Sequence, residues 1–210
     1  MLGRQGAGKG TQCIRLSRHF VVPHISTGDM LRAAVREGTE LGLMAKAVID
    51  SGSLVGDDIM VGIITERLDQ DDARVRGYIL DGFPRTVAQA VSLDAVTAKR
   101  PIDMVIDLDV PRGLVLSRLS ARRMCRDCAA NYQATGNEPQ PWTCENCGGD
   151  VVQRDDDTPD AINRRLDLYE SQTQPLIEFY GSTGRLVTVD GVGAPDEVFE
   201  RLTRAVEQRR

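Results

Sequence analysis

The stretch Gly3-Arg4-Gln5-Gly6-Ala7-Gly8-Lys9-Gly10-Thr11 concentrates residue types that can hold a phosphate chain. Gly3, Gly8 and Lys9 fit the spacing G-x-x-x-x-G-K of a phosphate-binding loop, with Gly10 interposed before the hydroxyl of Thr11. Glycine lets successive backbone N–H groups turn inward and form a nest for phosphate oxygens. The stretch from Thr11 to Phe20 reads as a helix, whose positive N-terminal end then faces the same anion. Lys9 adds a mobile charge for the β- and γ-phosphates, and Thr11 a hydroxyl close to Mg²⁺.

A second chemical group lies far along the chain. Four of the five cysteines fall in the pattern Cys125-x2-Cys128-x15-Cys144-x2-Cys147. Two C-x-x-C pairs match a tetrahedral structural zinc site, which leaves no open catalytic position. Gly148 and Gly149 suit the tight turn after the second pair. Cys13 stands apart on the first helix and is expected to be a small buried side chain.

The elements that must position these groups alternate. Val21 to Ile25 is a short extended segment, and Ser26 to Arg32 opens a helix with capping residues. A further helical piece starts at Gly38-Thr39-Glu40 and ends near Ser51-Gly52, and Ile59, Ile63, Ile64 and Leu68 repeat at helical spacing. Tyr78 to Leu80, Met104 to Leu108 and Leu186 to Val189 are apolar strands, each followed by an aspartate: Asp81, Asp109 and Asp190. Strands alternating with helices imply βαβ units and a parallel sheet, with ligands beyond the carboxyl ends of the strands. Residues 119–157, rich in Cys, Gly, Pro and Asn, break this rhythm and read as a small inserted domain. Thr158 as N-cap and Pro159 at the first helical position then start a helix with Ile162, Leu166 and Tyr169 on one face. Only Met1 and Leu2 precede the loop where an apolar central strand belongs, so a start upstream of Met1 is expected.

Five segments in this order resemble the adenylate kinase family, in its long-lid, zinc-carrying bacterial form. They are the glycine loop, Ser26-Thr27-Gly28-Asp29-Met30-Leu31-Arg32, Asp81-Gly82-Phe83-Pro84-Arg85, the cysteine-bearing insert, and Asp155-Asp156-Asp157 before an arginine-bearing helix. The resemblance spans essentially the whole chain. It implies an α/β fold, a P-loop nucleotide kinase with a parallel five-stranded sheet flanked by helices. The core would be residues 1–118 and 158–210, with an NMP-binding arm at 26–55 and a zinc-binding lid at 119–157. The implied reaction is MgATP + AMP ⇌ 2 ADP, with Mg²⁺ accompanying ATP and structural Zn²⁺ in the lid.

The resemblance also assigns residues. On the ATP side it implies Gly6, Ala7, Gly8, Lys9, Gly10 and Thr11, with Arg118, Arg122, Asn131, Tyr132 and Gly193. On the AMP side it implies Thr27, Arg32, Ser53, Leu54, Val55, Gly82, Phe83, Pro84 and Arg85, with Gln89 reading the adenine edge and Arg154 and Arg165 closing on the phosphoryl group. The catalytic set is Lys9, Arg85, Arg122, Arg154 and Arg165, with Asp81 ordering Mg²⁺ water and Asp156 and Asp157 as counter-ions. His19 and His24 are expected in packing or at the surface. Cys125, Cys128, Cys144 and Cys147 would hold the zinc. The chain departs from the family in carrying Gln5 where many members have proline, and one residue fewer between its cysteine pairs.

Composition narrows the alternatives. The chain has 210 residues, a formal charge of −5 and a pI near 5.1, which argues against a broad nucleic-acid surface. No apolar run approaches the roughly 18 residues of a membrane span. A cytoplasmic monomer that binds ATP, AMP and ADP, and neither nucleic acid nor membrane, is expected. A kinase for UMP, CMP or GMP is the near alternative, which Thr27 and Gln89 disfavour. A zinc-ribbon nucleic-acid binder and a nucleotide-gated switch are remote: Tyr132 and Trp142 are the only aromatics between the cysteine pairs, and no Asn-Lys-x-Asp motif is present.

Overall fold

The computed structural model describes residues 1–51 and 53–209. Helix α1 (Lys9–Phe20) starts two residues before the expected Thr11, because Gly8 at φ 99° turns the chain directly into helical geometry at Lys9. Strand β1 (His24–Ser26) leads into α2 (Thr27–Glu37), whose cap is Ser26: its hydroxyl accepts from the Asp29 N–H at 3.3 Å. Helix α3 (Glu40–Asp50) matches the expected piece, whose predicted end at Gly52 lies outside the described residues. Helices α4 (Asp57–Leu68) and α5 (Asp71–Arg76) then bring the chain to β2 (Ile79–Asp81). Helix α6 (Val87–Val96), strand β3 (Val105–Asp109) and α7 (Arg112–Ala121) follow.

The region of short-range Cys, Gly and Pro content folds as its own small antiparallel sheet. Strand β4 (Arg122–Cys125) lies between β5 (Asn131–Gln133) and β6 (Val151–Val152). Its buried centre is only Cys125, Cys144 and Val151. The chain returns through α8 (Pro159–Leu168), capped by Thr158 as its sequence dictates. A π-helical turn, Tyr169–Thr173, interrupts the expected long helix before α9 (Pro175–Ser182). Strand β7 (Leu186–Asp190) and α10 (Pro195–Glu207) complete the chain.

Four strands form two parallel pairs, β1 with β2 and β3 with β7. Met1 and Leu2 join them. The Met1 nitrogen donates to the Leu80 carbonyl at 2.9 Å, the Leu2 N–H to Ile106 O at 2.7 Å, and the Leu108 N–H to Leu2 O at 3.0 Å. The order is therefore β1-β2-(Met1-Leu2)-β3-β7, a five-position parallel sheet with Met1 and Leu2 in its central member. The glycine loop leaves this centre, so it emerges at the carboxyl edge beside Asp81. Helices cover both faces. Leu16, Leu108, Leu119, Leu166 and Leu202 meet on one side, and Ile25, Ile64, Leu80, Phe83 and Leu93 on the other. Each such side chain contributes about 1.5–3 kcal/mol by leaving water, which fixes the sheet edge against drift.

One polar residue interrupts this apolar order. Asp107, on β3 opposite Leu2, is 5% exposed, and its Oδ1 has no hydrogen-bond partner among the described residues. Burial, reinforced by the nearby Asp109, pushes its carboxyl above the usual carboxylate range, against the pull of Arg4 and Lys9. A raised folded-state value favours the neutral acid, so the fold loses stability as pH rises from the unfolded carboxyl value through the folded one. Asp107→Asn is expected to stabilise the protein by about 1 kcal/mol or more at pH 7 and by less at pH 4. Thermal melts of both proteins at the two pH values check this; an equal shift at both would show that ionisation is not the cost.

Candidate active site

The loop is shaped by contacts that allow no side chain. A Cβ on Gly3, at φ 131°, would stand 2.6 Å from the Leu108 carbonyl oxygen, and one on Gly6, at φ 80°, would stand 2.8 Å from Leu119 Cγ. The loop thereby lies tight on β3 and α7. The Lys9 ammonium folds back onto it, donating to Gly3 O at 2.7 Å and Arg4 O at 3.0 Å. Burial lowers its pKa to about 8, opposed by Asp81. Arg118 donates to Ala7 O at 3.2 Å, which ties α7 to the loop.

Asp81 ends β2 beside the loop. Burial raises its carboxyl, yet the hydrogen bond from His24 and the charge of Lys9 prevail and hold it below the usual range. His24 Nε2 lies 3.3 Å from Asp81 Oδ2. The expectation of a packing or surface role for His24 therefore misses a contact to a candidate site residue, made because β1 and β2 pair in parallel with Ser26 opposite Asp81. Cys13 is fully buried, as its place on α1 suggests.

Two cavities meet at this edge. The open cleft is walled by Gly6, Gly8, Lys9, Gly10 and Thr11, by Asp81 and Pro84, by Arg118 on α7, from the small sheet by Arg122, Asn131 and Tyr132, and by Arg154 just after it. The second pocket is lined by Thr27, Ser53, Leu54, Val55, Phe83 and Gln89. Arg32, Gly82, Arg85 and Arg165 line both. Ala7 lies buried behind the loop and reaches the site only through its carbonyl. Gly193 sits in the β7–α10 connection on neither wall, with Glu197 Oε2 against its backbone.

The arginines are held in different ways. Arg85 Nε donates to Gly82 O at 2.8 Å, and Thr27 Oγ1 to the same carbonyl at 3.0 Å. Asp157 is fully buried and receives Arg122 Nε at 2.7 Å and Arg165 Nη1 at 3.1 Å. Asp156 faces Arg165 Nη1 at 3.2 Å. Arg154 donates to Asn131 Oδ1 at 2.7 Å, and its Nε is buried without a partner among the described residues. Burial comes first, and neighbouring guanidinium groups second, in pulling Arg85 and Arg154 below the usual arginine range. A guanidinium does not give up its proton in a protein, so the direction reflects positive charge that is buried and crowded by like charge.

The four lid sulfurs lie within 4.8 Å of one another, with Cys125–Cys147 and Cys128–Cys144 each at 3.5 Å. All four are free thiols. A tetrahedral ion with bonds of about 2.3 Å sets its sulfurs about 3.8 Å apart, so the cluster fits zinc as it stands. The Tyr132 hydroxyl is 3.1 Å from Cys144 Sγ and lowers that thiol to about 6. Tyr132 thus turns its polar end to the sulfurs while its body lines the cleft.

Asp57 was not among the residues singled out by motif. It receives Gln89 Nε2 at 2.6 Å, across 32 positions of sequence, and no local periodicity signals such a pair.

A family-wide comparison matches the description "Adenylate kinase" over residues 1–185. An adenylate kinase of Methanosarcina acetivorans is 51% identical over 205 residues, covering 96% of this chain and 94% of that protein. One from Syntrophobacter fumaroxidans is 47% identical, covering 97% and 96%, and one from Clostridium perfringens SM101 is 46% identical, covering 97% and 95%. With the phosphate loop, the paired pockets and the four-sulfur lid in the places such an enzyme needs them, the chain belongs to the adenylate kinase family.

Proposed function

We propose that this chain transfers the γ-phosphoryl group of MgATP to AMP, giving two ADP, with ATP in the cleft over the glycine loop and AMP in the pocket beneath α2. The observation that carries the reading is the position of Arg32, Arg85 and Arg165, which line both cavities. A phosphoryl group moving from one cavity to the other would pass among them.

Phosphoryl transfer spreads negative charge over the equatorial oxygens, so the protein's task is positioning and charge stabilisation. The backbone N–H groups of Gly6 and of Gly8 to Thr11 cradle the donor phosphates, while Ala7 spends its N–H on Arg4 O within the loop. Lys9 leaves its loop carbonyls to follow the β- and γ-oxygens. Arg118, Arg122, Asn131 and Tyr132 close over the ATP. Thr27, Arg32, Arg85 and Gly82 take the AMP phosphate, while Ser53, Leu54, Val55 and Phe83 form the base pocket and Gln89 reads the adenine edge. Arg154 and Arg165 reach the group in flight, held until then by Asn131 and by Asp156 and Asp157. Thr11 and Asp81 are the residues that would hold Mg²⁺ and its waters, and the ion would supply positive charge against the phosphate chain. Cys125, Cys128, Cys144 and Cys147 would hold zinc, which supplies the lid with a centre its few buried side chains do not.

The moving bodies are read as a core, an arm over residues 26–55 and a lid over 119–157, whose closure excludes water from the reacting phosphates. A reducing cytoplasm is the setting read for the chain, supported by four thiols gathered in metal geometry, and the chain is read as a monomer.

Lys9→Met and Arg85→Ala are each expected to leave a folded protein whose ADP formation falls at least ~100-fold; near-normal turnover in either variant removes that residue from the mechanism. A zinc chelator is expected to lower the melting temperature by several degrees, and an unchanged melt would count against a structural metal. Asp157→Asn leaves the Arg122 and Arg165 charges without their buried counter-ion. Turnover is expected to fall at least ~10-fold with a lower melting temperature; stopped-flow ADP assays and melts together decide whether the carboxylate holds those groups in place.

A further inference from the structure

A glutamine that reads a purine edge has a weakness: its amide is two-faced. Adenine presents a donor at N6 and an acceptor at N1, whereas a 6-oxo purine presents an acceptor at O6 and a donor at N1. Rotating a terminal amide by half a turn exchanges its oxygen and nitrogen, so a free glutamine could satisfy either base. Discrimination therefore requires something that fixes the amide.

The surroundings of Gln89 do so. Its side chain is 2% exposed. Its Oε1 accepts from the Arg85 N–H at 2.7 Å, and its Nε2 donates to Asp57 Oδ1 at 2.6 Å. Asp57 is fixed in turn, because Thr86 Oγ1 donates to its Oδ2 at 3.2 Å, and that same hydroxyl accepts from the Gln89 N–H at 3.1 Å as the cap of α6. A backbone N–H only donates and a carboxylate only accepts, so each neighbour permits one orientation of the amide. A half-turn would set Oε1 against the carboxylate and the NH₂ against the Arg85 N–H. With one Nε2 hydrogen and one Oε1 lone pair committed, the remaining donor and acceptor stand side by side in the pocket lined by Phe83, Val55 and Thr27. That is the complement of adenine and the mismatch of a 6-oxo base.

We propose that Asp57 is a positioning residue for base specificity: by locking the Gln89 amide it makes the acceptor pocket select 6-amino over 6-oxo purine monophosphates. The inference rests on the reading of Gln89 as the residue facing adenine. Asparagine at position 57 can accept or donate, so Asp57→Asn removes one of the two constraints on the amide, leaving the Arg85 N–H as the other, without changing the bulk at position 57.

The experiment is steady-state kinetics with MgATP as donor and AMP or IMP as acceptor. For Asp57→Asn, kcat/KM is expected to fall for AMP and to rise for IMP, so that their ratio drops about tenfold or more. General damage to the fold would lower both. Asp57→Glu keeps an acceptor-only group and is expected to hold the ratio closer to that of the unaltered protein. Gln89→Leu should lower the ratio by itself, and adding Asp57→Asn to it should change nothing further. An unaltered ratio in Asp57→Asn, beside a lowered one in Gln89→Leu, overturns the role of Asp57. An unaltered ratio in Gln89→Leu instead overturns the reading of Gln89. Equal loss in Asp57→Asn and Asp57→Glu would make the effect one of packing and would also overturn the proposal.

Discussion

Positive charge crowded into a partly buried cleft is the constraint on which the rest of this structure depends. Lys9, Arg32, Arg85, Arg122, Arg154 and Arg165 line one continuous space. Each loses hydration there, and each raises the cost for its neighbours. Such a cluster persists only if something supplies negative charge or carbonyl oxygen while the substrate is away. The chain does this three ways. The loop's own carbonyls hold Lys9, the carbonyl of Gly82 holds Arg85, and the buried Asp156 and Asp157 hold Arg122 and Arg165. In the acidic run before α8, Asp156 and Asp157 are therefore internal counter-ions, while Asp155 stays exposed. The burial of Asp156 and Asp157 follows from α8 itself: Thr158 and Pro159 start that helix at once, leaving residues 155–157 as a tight turn beneath it.

The sheet makes this crowding possible. A phosphate loop must leave a strand whose neighbours cannot shift, since a displacement of an ångström would undo the nest of N–H groups. Here Met1 and Leu2 are hydrogen-bonded on both sides, to Leu80 and to Ile106 and Leu108. The rigidity comes from the partners. Leu108 is fully buried on β3, Leu16 and Leu119 press the helices onto it, and Gly3 and Gly6 allow contact too close for any Cβ.

How much of this could be read from sequence depended on range. The glycine loop, the Ser26 cap, the Thr158-Pro159 helix start and the paired cysteines are local patterns, and each appears where its chemistry places it. Strand ends moved by one residue, as for β2, which begins at Ile79, and for β3, which begins at Val105. The π-helical turn at Tyr169–Thr173 was invisible because its residues carry ordinary helical preferences and only Pro175 hints at a break. The contacts between distant residues were the least legible. His24 meets Asp81 across 57 positions, and Asp57 meets Gln89 across 32. Single-residue signals cannot announce a partner that only the fold supplies.

The two cavities differ in the polarity they offer, and this bears on how one fold handles two nucleotides. The cleft over the loop is bounded by charged and backbone groups and opens to solvent between the core and the small sheet. The second pocket is walled by Leu31, Val55, Met60 and Phe83, with Thr27, Ser53 and Gln89 among its polar groups. Charge alone cannot tell one nucleotide from another, because every phosphate chain satisfies an arginine. An apolar wall with one oriented amide can, because a wrong base leaves a buried hydrogen-bonding group unpaired. Under the proposed function, affinity for phosphate and choice of base fall to different residues on different elements. Arg32 and Arg85 line both pockets, at the point where the two meet.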